Sequence, residues 1–304
     1  MSEFRRVDAW LLAPAPAERL AAFRLLAGGF AVVYVAVRSP ALWALTRRPG
    51  ERFEGVGVLA GLDGPPARVV VMVLLTITLL TGVAFATGWR FSWTGPGFAL
   101  ALLTLGTFHS SWGQLLHFEN LMVLHVLVLG FSPAADAWSL TAAGSPRPSP
   151  RYGWPLRLAA IITVSVYVIA GIAKLRIGGT EWLVGDTLRN HVAYSASRLT
   201  LLGGTPTPLA GEVIDATWLF PPMAVGAVLI ELTAPLALVN RMLRNVWVTA
   251  TIVMHVGILA LLAVFFPYQA LGFAFAPFFA LEVAVSRVAR LSRRRPVDRS
   301  IRGG

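Results

Sequence analysis

The sequence predicts an all-α protein, a polytopic transmembrane helical bundle of about eight spans. The first reason is composition, since the 304 residues are 56% hydrophobic and 13% charged and have a mean hydropathy of +0.68. A water-soluble domain cannot cover that much apolar surface with so few polar residues. The second reason is pattern, because several apolar runs approach the roughly 20 residues that cross a bilayer. Clusters of arginine, proline and glycine separate them. We therefore expect the lipid bilayer as the surroundings.

Eight apolar runs are the predicted spans, and a folded cap is expected between the fifth and the sixth. The runs cover roughly residues 21–37, 69–87, 94–112, 119–136, 156–174, 219–239, 246–266 and 268–286. The third and fourth have short apolar cores, so re-entrant or buried segments are an alternative to simple crossings. The long connection after the fifth run carries Trp182, His191 and Trp218. A structureless loop of this length is uncommon in a compact domain, which favours a folded cap.

The arginines predict the orientation of the chain. A basic tail at 287–304 contains seven of them, and such a tail is typical of the cytoplasmic side. An even number of spans places the N-terminus there too, so residues 1–286 are predicted to form a multi-pass domain of the cell membrane. The segment Arg47–Gly55 is basic and falls outside, where we interpret it as interfacial. Since the arginines flank apolar runs, the net charge of +11 indicates membrane topology and no nucleic acid partner.

The absence of cysteine excludes several kinds of chemistry. Disulfides, thiolate catalysis, iron–sulfur clusters and cysteine zinc sites all need that residue. No helix-borne HExxH pattern occurs either, so no metal site is predicted. A haem held by two histidines would need two of His109, His125 and His255 to meet across the bundle.

Two ionisable residues lie near the middle of predicted spans. Glu231 precedes Arg241 by ten residues, and His255 follows Arg244 by eleven. At 1.5 Å per residue both lie about 15 Å from that side of the membrane. We therefore predict a hydrogen bond or ion pair between Glu231 and His255, as part of a catalytic or relay site or as a structural link between two helices.

Lys174 is the only lysine among 26 basic residues. It follows Arg157 by 17 residues, which places it about 25 Å further along the same helix, near the outer edge of the hydrocarbon. A lysine can lose its proton when desolvated and act as a base, whereas arginine cannot. We therefore predict that Lys174 is a catalytic residue that acts as a base. The alternative is an end-of-helix cation that reaches the interface, left as lysine by chance in an arginine-rich chain.

Polar residues before the fourth run and in the cap are candidates for holding a ligand. Histidine titrates near neutrality and can relay a proton or orient a polar group, although capping of a loop explains His109 and His117 as well. The predicted cofactor-binding residues are His117, Glu119, Asn120 and Trp182.

The segment "VYVIAGIAKLRIGGTEWLVGDTL" resembles the signature of the vitamin K-dependent gamma-carboxylase-like family, also called the HTTM domain. The matching residues are Tyr167, Ala170, Gly171, Lys174, Leu175, Trp182 and Gly185. Elsewhere, "ERLAAFRLLAGG" is similar to the family's amphipathic approach to its first span, and "FSPAADAWSL" to a segment ending in Trp-Ser-Leu. Glu231 and His255 lie where the family has a Glu and a His.

The resemblance implies a base role for Lys174. In the carboxylase the lysine of this motif deprotonates vitamin K hydroquinone, which then reacts with oxygen and supports carboxylation by carbon dioxide. If this role carries over to the present chain, the resemblance implies vitamin K hydroquinone or menaquinol as the cofactor, with oxygen and carbon dioxide. Glu231 and His255 would then be supporting or relay groups. An apolar quinol partitions into the bilayer, where an amine at the boundary can accept its proton.

Two differences separate this chain from the carboxylase. Ala173 precedes Lys174, where the carboxylase has a second lysine. The carboxylase also has a large C-terminal lumenal portion, whereas this chain ends 18 residues after residue 286. Both argue against carboxylation of glutamate in a bound protein. Three functions remain: a quinol-dependent enzyme, a non-enzymatic protein that binds a lipid or secreted peptide, and a proton-coupled transporter that uses Glu231 and His255.

Overall fold

The computed structural model describes residues 2–113, 117–142, 144, 146–184 and 187–284. Most of these residues are helical, and the only extended pairing among them is an isolated bridge between Ala15 and Ser149. The α-helices, in chain order, are α1 (Ser2–Leu11), α2 (Ala17–Leu45), α3 (Arg68–Thr87), α4 (Phe91–Ser110), α5 (His117–Gly130), α6 (Pro150–Gly178), α7 (Glu181–Val184), α8 (Thr187–Leu201), α9 (Pro208–Val213), α10 (Phe220–Leu232), α11 (Arg241–Leu262) and α12 (Pro267–Ala270). The predicted tail at 287–304 lies outside the described residues.

Within the part of the chain that the structure describes, four helices are long and apolar enough to cross a membrane: α2, α3, α6 and α11. The shortest, α3, has 20 residues and a length of about 30 Å, which matches the hydrocarbon core. Its Val69, Val73, Ile77 and Leu80 are exposed along one face. Exposing such an apolar face to water is energetically unfavourable, whereas contact with lipid is not. The chain is therefore an integral membrane protein. The eight predicted spans are thus supported at four positions.

The last predicted span, 268–286, is not a continuous helix. The described part consists of α12, a 3₁₀ turn at Phe273–Phe278 and a short helical segment at residues 281–284. Gly272 has a φ of 83° and Pro277 interrupts the turn, which explains why a regular helix does not form. Tyr268 and Phe275 are almost completely buried. These buried side chains show that protein surrounds this irregular backbone, which is the condition under which a membrane protein tolerates it.

The sixth predicted span, 219–239, is also interrupted. Helix α10 ends at Leu232, and the chain continues as a 3₁₀ turn at Ala234–Leu238 that contains Pro235. The Trp247 indole donates a hydrogen bond to the Ile230 carbonyl oxygen at 2.9 Å. This bond ties the end of α10 to α11.

The connection between α6 and α10 holds three short helices, α7, α8 and α9. Val192 and Ala210 pack with Phe220 and Leu261 in a small buried cluster. The Ser195 hydroxyl donates to the carbonyl oxygen of Leu262 at 2.5 Å. The connection is therefore packed on one end of α10 and α11. That it faces the outside of the cell stays a prediction, as does the position of both termini.

A buried arginine joins the first spans at the opposite end. Arg24 on α2 is completely buried, donates to the Trp138 carbonyl oxygen at 2.5 Å and lies over the ring of Phe91. Gly88 ends α3 with a φ of 71°, and a Cβ there would lie 2.5 Å from Arg24 Nη1 and 2.3 Å from Ser139 Cβ. Only glycine allows both this backbone conformation and this close approach.

We predict that Gly88→Ala lowers the free energy of unfolding by about 1–3 kcal/mol, because alanine adds left-handed strain and contacts the guanidinium. Gly226→Ala is the matched control, since a Cβ meets nothing within 4 Å there and alanine favours the α10 helix. Thermal unfolding of the purified protein in detergent measures both. Equal stability of Gly88→Ala and the wild type would contradict the role of Gly88.

Candidate functional site

Lys174 on α6 forms an ion pair with Glu231 on α10. The Nζ atom lies 2.5 Å from Glu231 Oε1 and donates a hydrogen bond to it. The Glu231 side chain is 7% exposed and that of Lys174 is 25% exposed. The carboxylate is therefore enclosed in the bundle, while the amine lies at the edge of the enclosed region.

Gly171 allows this pair to form. It lies one turn before Lys174 on α6, and a Cβ at this position would be 2.9 Å from Leu232 Cδ2 and 3.1 Å from Glu231 Cβ. Contacts this close would require Leu232 and Glu231 to shift if a side chain were added. The glycine lets α6 and α10 approach closely, which brings the two charged side chains together.

The predicted bond between Glu231 and His255 does not form. His255 Nδ1 donates instead to the Thr251 carbonyl oxygen at 2.8 Å, on its own helix. Its ring lies 5.9 Å from the Tyr167 ring and 5.3 Å from the Phe266 ring. Equal depth in the membrane does not determine which helix face a side chain occupies, and Glu231 faces α6.

A cavity of about 680 Å³ lies beside the lysine. We call it the Lys174 cavity, and its walls are mainly apolar. The lining includes Val166, Ile169, Ala173, Lys174, Ile177, Asn120, Trp182 and His191. Lys174 Nζ lies 5.6 Å from the centre of the Trp182 ring, which in turn lies 5.6 Å from the His191 ring. The predicted residues Trp182 and Asn120 thus share a cavity with Lys174.

Three buried polar atoms near this pair have no hydrogen-bond partner among the described residues. They are Glu231 Oε2, the Tyr167 hydroxyl and Trp182 Nε1. Tyr167 lies one turn before Gly171, on the face of α6 that meets α10. An unpaired buried polar atom is costly, and such atoms are found where a ligand or water completes the hydrogen bonds. The region therefore has both a hydrogen-bond acceptor and hydrogen-bond donors available to a ligand.

Glu119 belongs to a second polar cluster. It accepts a hydrogen bond from the Tyr34 hydroxyl at 2.5 Å and lies 3.1 Å from His109 Nδ1. Arg38 donates to the Tyr34 hydroxyl at 3.3 Å. Glu119 therefore faces α2 and α4, although the next residue, Asn120, lines the Lys174 cavity. The side chain of the remaining predicted residue, His117, lies outside the described residues.

Tyr34 and Arg38 are not among the residues predicted from the sequence. Their spacing of four residues places them on one face of α2, and this spacing is the sequence feature that could have indicated them.

His125, in contrast, is a buried structural histidine. The Tyr268 hydroxyl lies 2.9 Å from its Nδ1, and the Ala159 carbonyl oxygen lies 3.1 Å from its Nε2. Within the described ranges, no three His, Asp or Glu side chains are grouped as metal ligands would be.

A family model described as the HTTM domain matches residues 13–282 of the chain. That range contains every element from α2 to α12, and both residues of the Lys174–Glu231 pair. No curated protein and no solved structure matches the chain.

We predict that Lys174 and Glu231 are energetically coupled. Lys174→Met leaves an enclosed carboxylate without a partner, which costs about 3–5 kcal/mol of unfolding free energy. Glu231→Met costs less, since Lys174 is partly exposed and its amine can reach water. The double variant recovers much of the loss, which gives a coupling energy of about 1–3 kcal/mol.

Unfolding of the four proteins of this cycle in the same detergent gives the coupling energy. The matched control combines Glu231→Met with His255→Met, which we expect to be additive because these side chains share no bond. Additive losses for Lys174 and Glu231 would show that the pair does not hold the helices together.

Proposed function

We propose, from the premise that this chain belongs to the HTTM domain family, that it is a membrane enzyme acting on a lipid quinol, with Lys174 as the base. The observation that supports this most is the position of Lys174 Nζ. It lies at the wall of a mainly apolar cavity of about 680 Å³ and 2.5 Å from a carboxylate oxygen. A base at the edge of the membrane can meet a substrate that dissolves in lipid.

The residues of the cavity fit the head of a lipid quinol. The volume is within the range of about 300–1,000 Å³ that small-molecule sites have. Its apolar walls suit an aromatic ring, and Trp182 offers both a flat face and an unpaired N–H donor. A lipid hydroquinone supplies an acidic hydroxyl and two electrons for molecular oxygen.

Lys174 and Glu231 together can accept a proton. A neutral amine is needed for a base, so the proton that Nζ holds must first leave. Glu231 Oε1 is its nearest acceptor, at hydrogen-bond distance. Transfer to this oxygen gives a neutral amine beside a neutral acid. Nζ then accepts a proton from a hydroxyl in the cavity.

A second function is favoured by the same contacts. The carboxylate of Glu231 and the ring of Trp182 both stabilise a charged ammonium group. A lysine kept charged would bind the polar head of a lipid or the carboxylate of a secreted peptide without catalysis. The transporter is less supported, since Glu231 and His255 share no hydrogen bond.

We predict that Lys174→Arg lowers quinol-dependent oxygen consumption by about 10²–10⁴-fold, the contribution typical of a general base. The variant keeps the charge and the pairing with Glu231 but cannot release a proton. Purified protein in nanodiscs, supplied with reduced menaquinone and followed with an oxygen electrode, measures the rate. The matched control is Arg176→Lys, an exposed change near the end of the same helix, which we expect to leave the rate unchanged.

Full activity of Lys174→Arg would exclude Lys174 as the base. Binding of the quinol by both the wild type and Lys174→Arg, with no oxygen consumption by either, would favour the non-enzymatic function. Quenching of tryptophan fluorescence by the added menaquinone measures that binding.

A further inference from the structure

Four arginines from three helices converge at the membrane side opposite Lys174. Arg19 lies near the start of α2, Arg157 near the start of α6, and Arg241 and Arg244 on the first turn of α11. They line two adjoining cavities of about 290 and 530 Å³ that share Arg19, Arg241 and Arg244. We call this region the arginine groove, and we propose that it binds the phosphate headgroup of an anionic phospholipid.

The charges of the groove are largely uncompensated. Among the described residues, only Arg19 pairs with a carboxylate, that of Glu282 at 2.7 Å. Arg157 donates to the Ala13 carbonyl oxygen at 2.7 Å, and Arg244 to the Phe278 carbonyl oxygen at 2.9 Å. These bonds fix the guanidinium groups but leave their charges in place. A phosphate diester supplies the missing negative charge and accepts several hydrogen bonds.

The start of α11 adds to this attraction. The helix has 22 residues and begins at Arg241, directly after Asn240, which caps it by accepting a bond from the Leu243 amide at 2.9 Å. The N-terminal end of a helix carries a partial positive charge. The Arg241 side chain is exposed and makes no hydrogen bond or ion pair with any other described residue. It is therefore available to a ligand.

The walls of the groove favour a lipid over a free phosphate ion. Leu156, Leu238 and Phe278 line it together with the arginines. Next to it, Leu236 in the 3₁₀ turn after α10 and Val239 just after that turn are exposed, by 44% and 67%. Acyl chains can cover these apolar side chains while the headgroup lies against the guanidinium groups. Basic pockets between membrane helices are a known arrangement for anionic headgroups.

Native mass spectrometry of the full-length protein tests this proposal. The protein is titrated in detergent with phosphatidylglycerol, with phosphatidylcholine of the same acyl chains, or with inorganic phosphate. The test variants are Arg241→Gln and the double variant Arg241→Gln/Arg244→Gln. The matched control is Arg90→Gln, which removes an exposed arginine between α3 and α4 on the same side.

We expect the wild type and Arg90→Gln to retain phosphatidylglycerol in preference to phosphatidylcholine. Each groove arginine contributes about fivefold in affinity, so the double variant should bind about 25-fold more weakly. Inorganic phosphate at millimolar concentration should not displace the lipid. Arg241→Gln removes no contact within the described fold, so its weaker binding would not arise from misfolding.

Equal retention by the wild type and both groove variants would overturn the proposal. Full displacement by inorganic phosphate would overturn the choice of a lipid and assign the groove to a soluble phosphate. Neither result depends on whether Lys174 is a base, because the groove lies at the other side of the membrane.

Discussion

The ion pair of Lys174 and Glu231 links α6 to α10, and the proposed function depends on it. The carboxylate is enclosed, so its charge needs a partner, and the lysine is the cation that reaches it. Gly171 provides the close approach that makes the contact possible. The same geometry holds Lys174 at the wall of the apolar cavity, with Trp182 on its other side. One interaction therefore fixes the helix packing and also positions the candidate reactive group.

The two ends of the bundle carry different polar groups. At the side of Lys174, polar groups lie in enclosed positions, and several keep free hydrogen-bonding capacity. At the opposite side, arginines from α2, α6 and α11 line an open groove. Part of the bundle is broken helix, at the turn after α10 and at residues 267–278. Buried side chains such as Tyr268 and Phe275 protect this irregular backbone from lipid.

Much of this arrangement could be predicted from the sequence, because apolar length and periodicity are local properties. The helices α2, α3, α6 and α11 contain or largely cover their predicted runs. Lys174 could be singled out by counting alone. The partner of Glu231 could not be derived, since depth along a helix says nothing about rotation around its axis, and His255 at a similar depth was the wrong choice. The last run was predicted as a span because its composition is apolar, although Gly272 and Pro277 prevent a regular helix.

The single lysine offers a direct measurement of the central pairing. In protein labelled with ¹⁵N-lysine, the chain gives one side-chain Nζ signal, which NMR can follow in detergent or in a bilayer. The account predicts that this signal shifts in Glu231→Gln, since the carboxylate at 2.5 Å is its nearest charged neighbour, and that His255→Gln changes it less. An Nζ signal that is the same in Glu231→Gln and the wild type would contradict the pairing on which the proposed function rests.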